Sequence, residues 1–318
     1  MRYSRQILFS KIGKKGQELL NKSHVTIVGA GALGTSTAEL LTRAGIGKLT
    51  IIDRDIIELN NLQRQSLYLE EDIDKPKAEV IKKRLKQINS EVEINSYVED
   101  LDHTNMDLIK SDLILDCTDN IETRQLINEY SIKNNVPWIY SSVIGSSGYI
   151  LDIIPKETPC FNCLFNHVNP ELLGSCETEG ILNTTVKLIS SIQTTEAIKI
   201  LTKQDYSKEL LYYDIWNNRL NKLKIKRDLG CIICNKNQFP YLNGEKKTDL
   251  IKICGRGLYQ IRGKKLDLKQ FKNKIKGSTL TDYGLTTNKI IVFNSGRTFI
   301  KANSKEEAKT IYSKFIGN

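Results

Sequence analysis

The sequence predicts an α/β protein with a doubly wound, mostly parallel sheet that antiparallel strands continue, followed by a small α+β C-terminal domain. The first observation is the alternation of short apolar strands with helices from residue 24 to about residue 141. Strands joined by helices form parallel sheets, because a parallel connection needs a crossover of about a dozen residues. The second is a change after residue 145, where strand patterns surround one long helix. The third is a lysine-rich tail with strand and helix patterns of its own.

Each element is marked by an apolar run or by helical periodicity. In the crossover region the predicted strands are residues 24–28, 48–52, 92–97, 113–116 and 137–140, and the predicted helices are residues 33–44, 77–88 and 121–134. The next part is predicted to hold strands at residues 148–154, 209–216 and 222–227 and a helix at residues 186–202. In the tail we expect strands at residues 250–253, 258–262 and 289–293 and helices at residues 267–275 and 304–315.

The composition is that of a soluble globular protein, with 40% apolar and 26% charged residues. No run approaches about 18 apolar residues and the N-terminus lacks an apolar core, so the sequence predicts neither a membrane span nor a signal peptide. We therefore expect a cytoplasmic protein whose seven cysteines are not paired as disulfides.

The net charge of +10 comes from the C-terminal tail. Residues 235–318 hold 18 Lys and Arg against 6 Asp and Glu, whereas residues 1–234 hold 29 against 31. The lysines are not interleaved with aromatic residues, so the sequence favours a solvated surface over a nucleic-acid interface.

A glycine-rich turn follows the first strand and opens the first crossover helix. Gly29, Gly31 and Gly34 permit a tight turn whose backbone N–H groups can face a phosphate at the helix N-terminus. Asp53 ends the next strand and is placed to bind ribose hydroxyls. These residues predict a Rossmann-like nucleotide site. Taken alone, they make an NAD-dependent oxidoreductase the default interpretation.

Polar residues downstream favour a triphosphate over a dinucleotide. The run at residues 60–65 includes Asn61, Arg64 and Gln65, and Lys77 begins the next helix. Arginine and lysine neutralise phosphate oxygens, and arginine can do so with two hydrogen bonds. Asp119 follows a core strand, where a carboxylate suits the Mg²⁺ that bridges ATP phosphates.

Two C-x-x-C pairs indicate a metal site. Cys160 and Cys163 form the first pair, and Cys231 and Cys234 form the second. Four thiolates at this spacing predict a closed, structural Zn²⁺ site. A redox-active pair is the competing interpretation, but two pairs in one domain fit zinc better.

The motifs RYSRQ, GAGALG, ELNNLQRQ, KPKA, DCTDN, PCFNCL, SCETEG, QTTEAIK and CIIC together resemble the ubiquitin-activating-enzyme-like adenylyltransferases of the ThiF/MoeB/HesA type. The resemblance spans residues 2 to about 234, and the tail is similar to the C-terminal extension of some ThiF-type members. We expect an ATP-binding adenylation domain with the zinc site at residues 1–234, a linker at residues 235–248 and a basic domain at residues 249–318.

The resemblance implies that the enzyme uses ATP to adenylylate the C-terminal glycine of a ubiquitin-like sulfur-carrier protein. Such a carrier has the β-grasp fold and ends in Gly-Gly, and the reaction releases pyrophosphate. It would serve sulfur transfer in thiamine or molybdopterin biosynthesis or in tRNA thiolation. The resemblance leaves the carrier open, and also the sulfur donor, which could be a sulfurtransferase or a cysteine desulfurase.

The resemblance also implies roles for single residues. The three glycines would cradle the nucleotide and Asp53 would bind its ribose. Asn61, Arg64 and Lys77 would contact the phosphates, and Asp119 would hold the Mg²⁺ of the ATP complex.

Three further residues carry implications or open questions. In a homodimer Arg5 would reach into the partner's ATP site. Cys176 lies where the family has a thiol that is a nucleophile in some members, and a bystander role for it stays equally open. If it is a nucleophile, an activator of a ubiquitin-like protein modifier through a cysteine thioester is the alternative function. Cys254 has no assigned role.

Overall fold

The computed structural model describes residues 2–165, 179–246, 250–253, 258–261, 263, 266–272, 277–281, 284–293 and 296–316. The chain divides into two compact units, Met1–Glu245 and Lys246–Asn318. No helix within the described residues is long and apolar enough to cross a membrane.

The first unit is built on one eight-stranded sheet with the order β3-β2-β1-β4-β5-β6-β7-β8. Neighbouring strands are parallel from β3 to β5 and antiparallel from β5 to β8. This arrangement confirms the predicted fold class. The strands are β1 (His24–Val28), β2 (Lys48–Ile52), β3 (Glu93–Tyr97), β4 (Leu113–Asp116), β5 (Trp138–Ile144), β6 (Ser147–Ile153), β7 (Leu210–Asp214) and β8 (Arg219–Leu223).

Among the described residues of the first unit, helices precede β1 and connect the later strands. They are α1 (Ser4–Leu8), α2 (Gly13–Lys22), α3 (Ala32–Ala44), α4 (Lys77–Ile88), α5 (Ile121–Asn134), α6 (Phe161–Phe165) and α7 (Asn183–Leu201). The α3 helix ends at Gly45, whose φ of 80° is the left-handed conformation that glycine adopts readily. The α5 helix begins at Asn120, whose side chain accepts a 2.8 Å hydrogen bond from the backbone N–H of Thr123.

Apolar side chains fill both faces of the parallel strands. Leu113 and Leu115 of β4 pack on one face, in the cluster that includes α3, α4 and α7. Ile114 packs on the other face with Leu126 of α5. Because both faces are covered, the strands are almost continuously apolar, as in other parallel sheets. The polar residues of the site therefore lie at the strand ends.

The second unit has an antiparallel six-stranded sheet with the order β11-β12-β13-β14-β10-β9. Its elements are β9 (Leu250–Ile253), β10 (Leu258–Ile261), α8 (Leu268–Lys272), β11 (Thr279–Leu280), β12 (Gly284–Thr286), β13 (Ile290–Phe293), β14 (Thr298–Lys301) and α9 (Lys305–Phe315). Ser304 caps α9, since its hydroxyl accepts a hydrogen bond from the backbone N–H of Glu307.

Candidate functional site

The glycine turn lies between β1 and α3, at the point where the strand order reverses and α/β proteins bind ligands. Gly29 has a φ of 96°, and a Cβ atom there would lie 2.5 Å from the carbonyl oxygen of Cys117. A Cβ atom at Gly34 would lie 1.9 Å from the carbonyl oxygen of Gly29. At Gly31 the nearest atom to such a Cβ is 3.9 Å away. The turn thus requires Gly29 and Gly34 for its own packing, whereas Gly31 faces open space at the start of α3.

Asp53 connects the glycine turn to the end of β2. Its Oδ2 accepts a 2.6 Å hydrogen bond from the Ala30 backbone N–H, and its Oδ1 accepts one of 2.6 Å from that of Asp55. Burial raises the pKa of Asp53, against the opposing effect of the Lys77 charge. The carboxylate is therefore fixed beside the turn, where the sequence predicted a ribose-binding group.

Asn61 and Arg64 lie in and just after a 3₁₀ turn at Leu59–Asn61. Asn61 is buried and its Oδ1 accepts a 3.1 Å hydrogen bond from the Glu58 backbone N–H, which caps the turn. Arg64 is half-buried and donates from Nη1 to the carbonyl oxygen of Asn60 at 2.8 Å. Both side chains thus have local partners in the free protein.

Gln65 faces the glycine turn. It is 4% exposed, and its Nε2 is the atom closest to the position that a Cβ of Gly31 would occupy. Its Oε1 is buried and finds no hydrogen-bond partner among the described residues. Gln65 thus places a side-chain amide N–H group next to the N-terminal cap of α3.

Lys77 and Asp119 belong to one charged cluster at the ends of β2 and β4. Lys77 is 6% exposed, and its Nζ lies 3.2 Å from Oδ2 of Asp55. Burial lowers the pKa of Lys77, but Asp55, Asp53 and Asp119 raise it by more, so the ammonium stays charged. Asp119 is exposed. The structure therefore brings together Asp53, Lys77 and Asp119, which are far apart in the sequence.

Asp116 ends β4, three residues before Asp119, and is fully buried. Its Oδ2 accepts a 3.0 Å hydrogen bond from Nε of Arg124, and its Oδ1 accepts hydrogen bonds from the backbone N–H and hydroxyl of Thr118. Burial raises the pKa of Asp116, and the Arg124 charge opposes that rise. Both carboxylate oxygens of Asp116 thus have partners inside the protein, and Asp119 is the exposed carboxylate that follows β4.

Arg5 lies on α1 and is exposed. Its neighbour Gln6 attaches α1 to the rest of the unit, donating to Oε1 of Gln17 at 2.7 Å and to the carbonyl oxygen of Ala44 at 2.8 Å. Two apolar residues close to Arg5, Leu8 and Phe9, are 71% and 58% exposed.

Two cysteines discussed above, Cys176 and Cys254, lie outside the described residues.

The four cysteines of the C-x-x-C pairs converge on one point. The Sγ–Sγ distances are 3.8 Å between Cys160 and Cys163, 3.7 Å between Cys160 and Cys231, and 3.5 Å between Cys163 and Cys234. All four sulfurs lie within 4.8 Å of one another. A tetrahedral ion with Zn–S bonds of about 2.3 Å holds its sulfurs about 3.8 Å apart. The cluster therefore fits a tetrahedral metal ion.

Two N–H groups donate to sulfurs of this cluster, and the neighbouring thiols favour a thiolate at Cys163, whereas the pKa of Cys160 is raised by its hydrogen bonds with Cys163 and Cys234. The backbone N–H of Asp228 donates to Sγ of Cys163 at 3.5 Å, and Nδ2 of Asn162 donates to Sγ of Cys231 at 3.4 Å. Hydrogen bonds from Cys160 and Cys234 lower the pKa of Cys163. Such outer contacts orient ligands and stabilise their charged form.

An aromatic cluster packs beside the cysteines and contributes to their burial. Phe161, which follows Cys160, has its ring 4.6 Å from that of Phe165, 5.1 Å from that of Tyr140 and 5.9 Å from that of Trp138. Phe161 and Trp138 are fully buried. The cysteine cluster is thus anchored to the core.

Comparison with known proteins decides the family. The model described as ThiF family matches residues 3–233. The chain belongs to the ThiF family. It is 37% identical over 335 residues to the Sulfur carrier protein ThiS adenylyltransferase of Bacillus subtilis (strain 168), covering 99% of each chain. It is 38% identical over 238 residues to the protein of the same description from Escherichia coli (strain K12), covering 74% of this chain and 94% of that one.

A solved structure supports the fold. The crystal structure of E. coli MccB with ATP matches with a TM-score of 0.66 and 22% identity, covering 74% of each chain. The named relatives are adenylyltransferases, so this ThiF-family chain is an enzyme of the nucleotidyltransferase class.

Gln193 is a residue of this ThiF-family site to which the sequence motif QTTEAIK gave no role. Its Oε1 accepts a 2.9 Å hydrogen bond from the hydroxyl of Thr37, and its Nε2 donates to the carbonyl oxygen of Asp116 at 3.0 Å. The thiol of Cys117 also lies 3.6 Å from Oε1. Gln193 thereby connects α7 to the helix that follows the glycine turn and to the strand that precedes Asp119.

Arg54 is a second residue that the sequence reasoning did not single out. Its Nη1 lies 3.1 Å from Oδ1 of Asp100, and its Nε lies 3.7 Å from Oδ1 of Asp55. Arg54 directly follows Asp53, and this position next to the predicted ribose-binding residue is the feature of the sequence that could have indicated it.

Proposed function

We propose that this enzyme uses Mg²⁺–ATP to adenylylate the C-terminal glycine carboxylate of a ubiquitin-like, β-grasp sulfur-carrier protein that ends in Gly-Gly. The observation that carries the proposal is the convergence of Asp53, Lys77 and Asp119 beside the open N-terminus of α3. The relatives named as ThiS adenylyltransferases support the choice of substrate. The reaction would take place in the cytoplasm.

The glycine turn would receive the nucleotide. Gly31 is the N-terminal cap of α3 and has no side chain that could occupy the free N–H groups of the first turn. Those groups and the helix dipole favour a phosphate. Asp53 would bind the ribose hydroxyls, and Nε2 of Gln65, which lies toward Gly31, would donate a hydrogen bond to the nucleotide.

The carrier supplies a carboxylate that is already ionised at neutral pH. One of its oxygens attacks the α-phosphorus of ATP, a P–O bond forms, and the bond to the leaving pyrophosphate breaks. The barrier comes from repulsion between anions and from the charge that develops on pyrophosphate. Lys77, Arg64 and Asn61 would bind the phosphates and stabilise that charge.

Two ions belong to this proposal. Asp119 would hold the Mg²⁺ that enters with ATP. It is an exposed, hard carboxylate close to the cationic side chains that would bind the phosphates. The Mg²⁺ would neutralise part of the charge on the phosphates. The four cysteines would hold a structural Zn²⁺, since their spacing leaves no open position for a substrate.

The decisive measurement is carrier-dependent exchange of radiolabelled pyrophosphate into ATP, tested against Gly-Gly-terminated β-grasp proteins from the same cell. The panel includes the carriers of thiamine and molybdopterin synthesis and of tRNA thiolation. We expect exchange with at least one carrier and a loss of on the order of 10²–10³-fold in Asp119→Asn or Arg64→Ala, as when one transition-state contact is removed.

Asp205→Asn is the matched control, because Asp205 is exposed and lies in the connection between α7 and β7. Exchange that does not depend on any carrier, or wild-type exchange in Asp119→Asn, would contradict the proposal. NAD binding without pyrophosphate release would favour the oxidoreductase interpretation.

Arg5 is proposed to act on the partner's site in a homodimer, with the exposed Leu8 and Phe9 covered by the interface. Mixing Arg5→Ala with Asp119→Asn subunits tests this. If Arg5 acts across the interface, each mixed dimer contains one complete site, and activity returns to part of the wild-type value. Mixed dimers that stay inactive would refute the cross-subunit role.

A further inference from the structure

Asp55 and Lys77 are joined at two points. The backbone N–H of Lys77 donates to the carbonyl oxygen of Asp55 at 2.9 Å, and its Nζ lies 3.2 Å from Oδ2 of the same residue. An isolated antiparallel bridge between Ile56 and Pro76 holds the two segments side by side. Asp55 therefore fixes both the start of α4 and the direction of the buried ammonium group.

A buried ammonium group needs neighbouring anions to remain charged, because desolvation favours the neutral amine. The carboxylates that act on Lys77 come from separate segments: Asp53 at the end of β2, Asp55 just beyond it, and Asp119 after β4. Of these, Asp55 makes the direct contact and has the largest charge effect, and together the three raise the pKa of Lys77 despite its burial.

The other charged and titratable groups around Lys77 have different partners. Both oxygens of Asp53 accept backbone hydrogen bonds. Arg54 lies between Asp55 and Asp100. The hydroxyl of Tyr68 donates to the carbonyl oxygen of Ala30 at 2.7 Å and lies 3.4 Å from that of Lys77; burial raises the pKa of Tyr68, so it stays neutral.

We propose that Asp55 is a positioning residue that keeps Lys77 charged and directed at the phosphate site of the free enzyme. The inference rests on the proposed function, because it assumes that Lys77 binds the phosphates of ATP. Asp55 is partly exposed, with 37% of its side chain accessible, so a phosphate can share the ammonium without unfolding the segment. Asp55 itself need not touch the nucleotide.

The test compares Asp55→Asn with Asp100→Asn. Each substitution removes one carboxylate from the same cluster without changing side-chain shape, but Asp100 contacts Arg54, whose guanidinium does not deprotonate. Binding of Mg²⁺–ATP is measured by calorimetry as a function of pH, with no carrier present. We expect wild-type protein and Asp100→Asn to lose affinity at the same alkaline pH, and Asp55→Asn to lose it at least about one pH unit lower.

The charge of Lys77 is also measured directly from the pH dependence of its ¹³Cε NMR signal. That signal is assigned as the one missing from the spectrum of Lys77→Arg. In the wild-type protein the pKa should exceed the ordinary lysine value of 10.5, and in Asp55→Asn it should fall below the wild-type value. A wild-type Lys77 pKa under 10.5 would overturn the proposal. So would Mg²⁺–ATP binding that is lost at the same alkaline pH in Asp55→Asn as in the wild-type protein. If the wild-type protein fails to bind Mg²⁺–ATP at any pH, the proposed function is contradicted instead.

Discussion

Replacing Gln193 with leucine tests whether one buried amide holds the nucleotide site together. The substitution keeps a side chain of similar length in a fully buried position on α7. Besides the 3.6 Å contact with the Cys117 thiol, it removes the hydrogen bonds to the Thr37 hydroxyl and to the Asp116 carbonyl oxygen. These two contacts connect three elements that carry the glycine turn and the Asp119 loop.

The expected cost follows from the groups left behind. The Thr37 hydroxyl is fully buried, and a buried polar group that loses its partner costs about 1–3 kcal/mol. The Asp116 carbonyl oxygen keeps the 2.8 Å hydrogen bond from the Ser141 hydroxyl, so its loss is closer to about 1 kcal/mol. The sum of about 2–4 kcal/mol corresponds to a fall of roughly 5–15 °C in the unfolding temperature of a unit of this size.

Differential scanning calorimetry of Gln193→Leu measures that fall, and Thr37→Val in the same background provides the control. Valine removes the hydroxyl that was left unpaired, so the double variant should recover about 1–3 kcal/mol. An unfolding temperature of Gln193→Leu within about 1 °C of wild type would refute the reasoning, as would a double variant no more stable than the single one.

Three further outcomes are expected. Cys231→Ser should lower the bound zinc measured by atomic emission and lower the unfolding temperature by at least about 10 °C, and unchanged zinc content would contradict the metal assignment. Gly34→Ala should destabilise the fold in thermal melts, because its Cβ would lie 1.9 Å from the Gly29 carbonyl oxygen. Gly31→Ala should melt like wild type yet bind Mg²⁺–ATP more weakly by calorimetry, since its Cβ would enter only the open space beside Gln65; equal ATP affinity would refute a phosphate site there.

Much of the fold was readable from the sequence because each central element is short, apolar and bounded by turn residues. The strands His24–Val28 and Lys48–Ile52 and the helix Ile121–Asn134 have the predicted bounds. The strand predicted at residues 222–227 was wrong in position, since β8 spans Arg219–Leu223 and all five of its residues are exposed. A strand exposed on both faces has no alternating apolar pattern to mark it.

The tail was harder to predict for a related reason. Three strands were expected there, whereas the described residues of the second unit form a sheet of six. The additional strands, Thr279–Leu280, Gly284–Thr286 and Thr298–Lys301, are two to four residues long. Such short strands are recognisable only from their neighbours in the sheet, which a sequence pattern does not specify.

The residues of the candidate site also differ in how well a local sequence pattern predicts them. Gly29, Gly34 and Asp53 could be predicted as site residues from the sequence because their spacing from the first strand is fixed by local geometry. The motif QTTEAIK indicates no role for Gln193, because the contact of Gln193 with Asp116 joins residues 77 positions apart. Only the packing of α7 on the sheet creates that contact. Buried polar links of this kind depend on tertiary structure and leave no local sequence signature.

The aromatic cluster beside the cysteines also provides an internal spectroscopic reporter. The chain has two tryptophans, of which Trp138 is fully buried against Phe161 and Trp216 is 75% exposed. Acrylamide should therefore quench the emission of Trp216. The emission that remains should be that of Trp138, at shorter wavelength. Because Phe161 adjoins Cys160, loosening of the cysteine cluster would expose the indole of Trp138 to acrylamide. The integrity of the cysteine cluster can therefore be followed by fluorescence without any label.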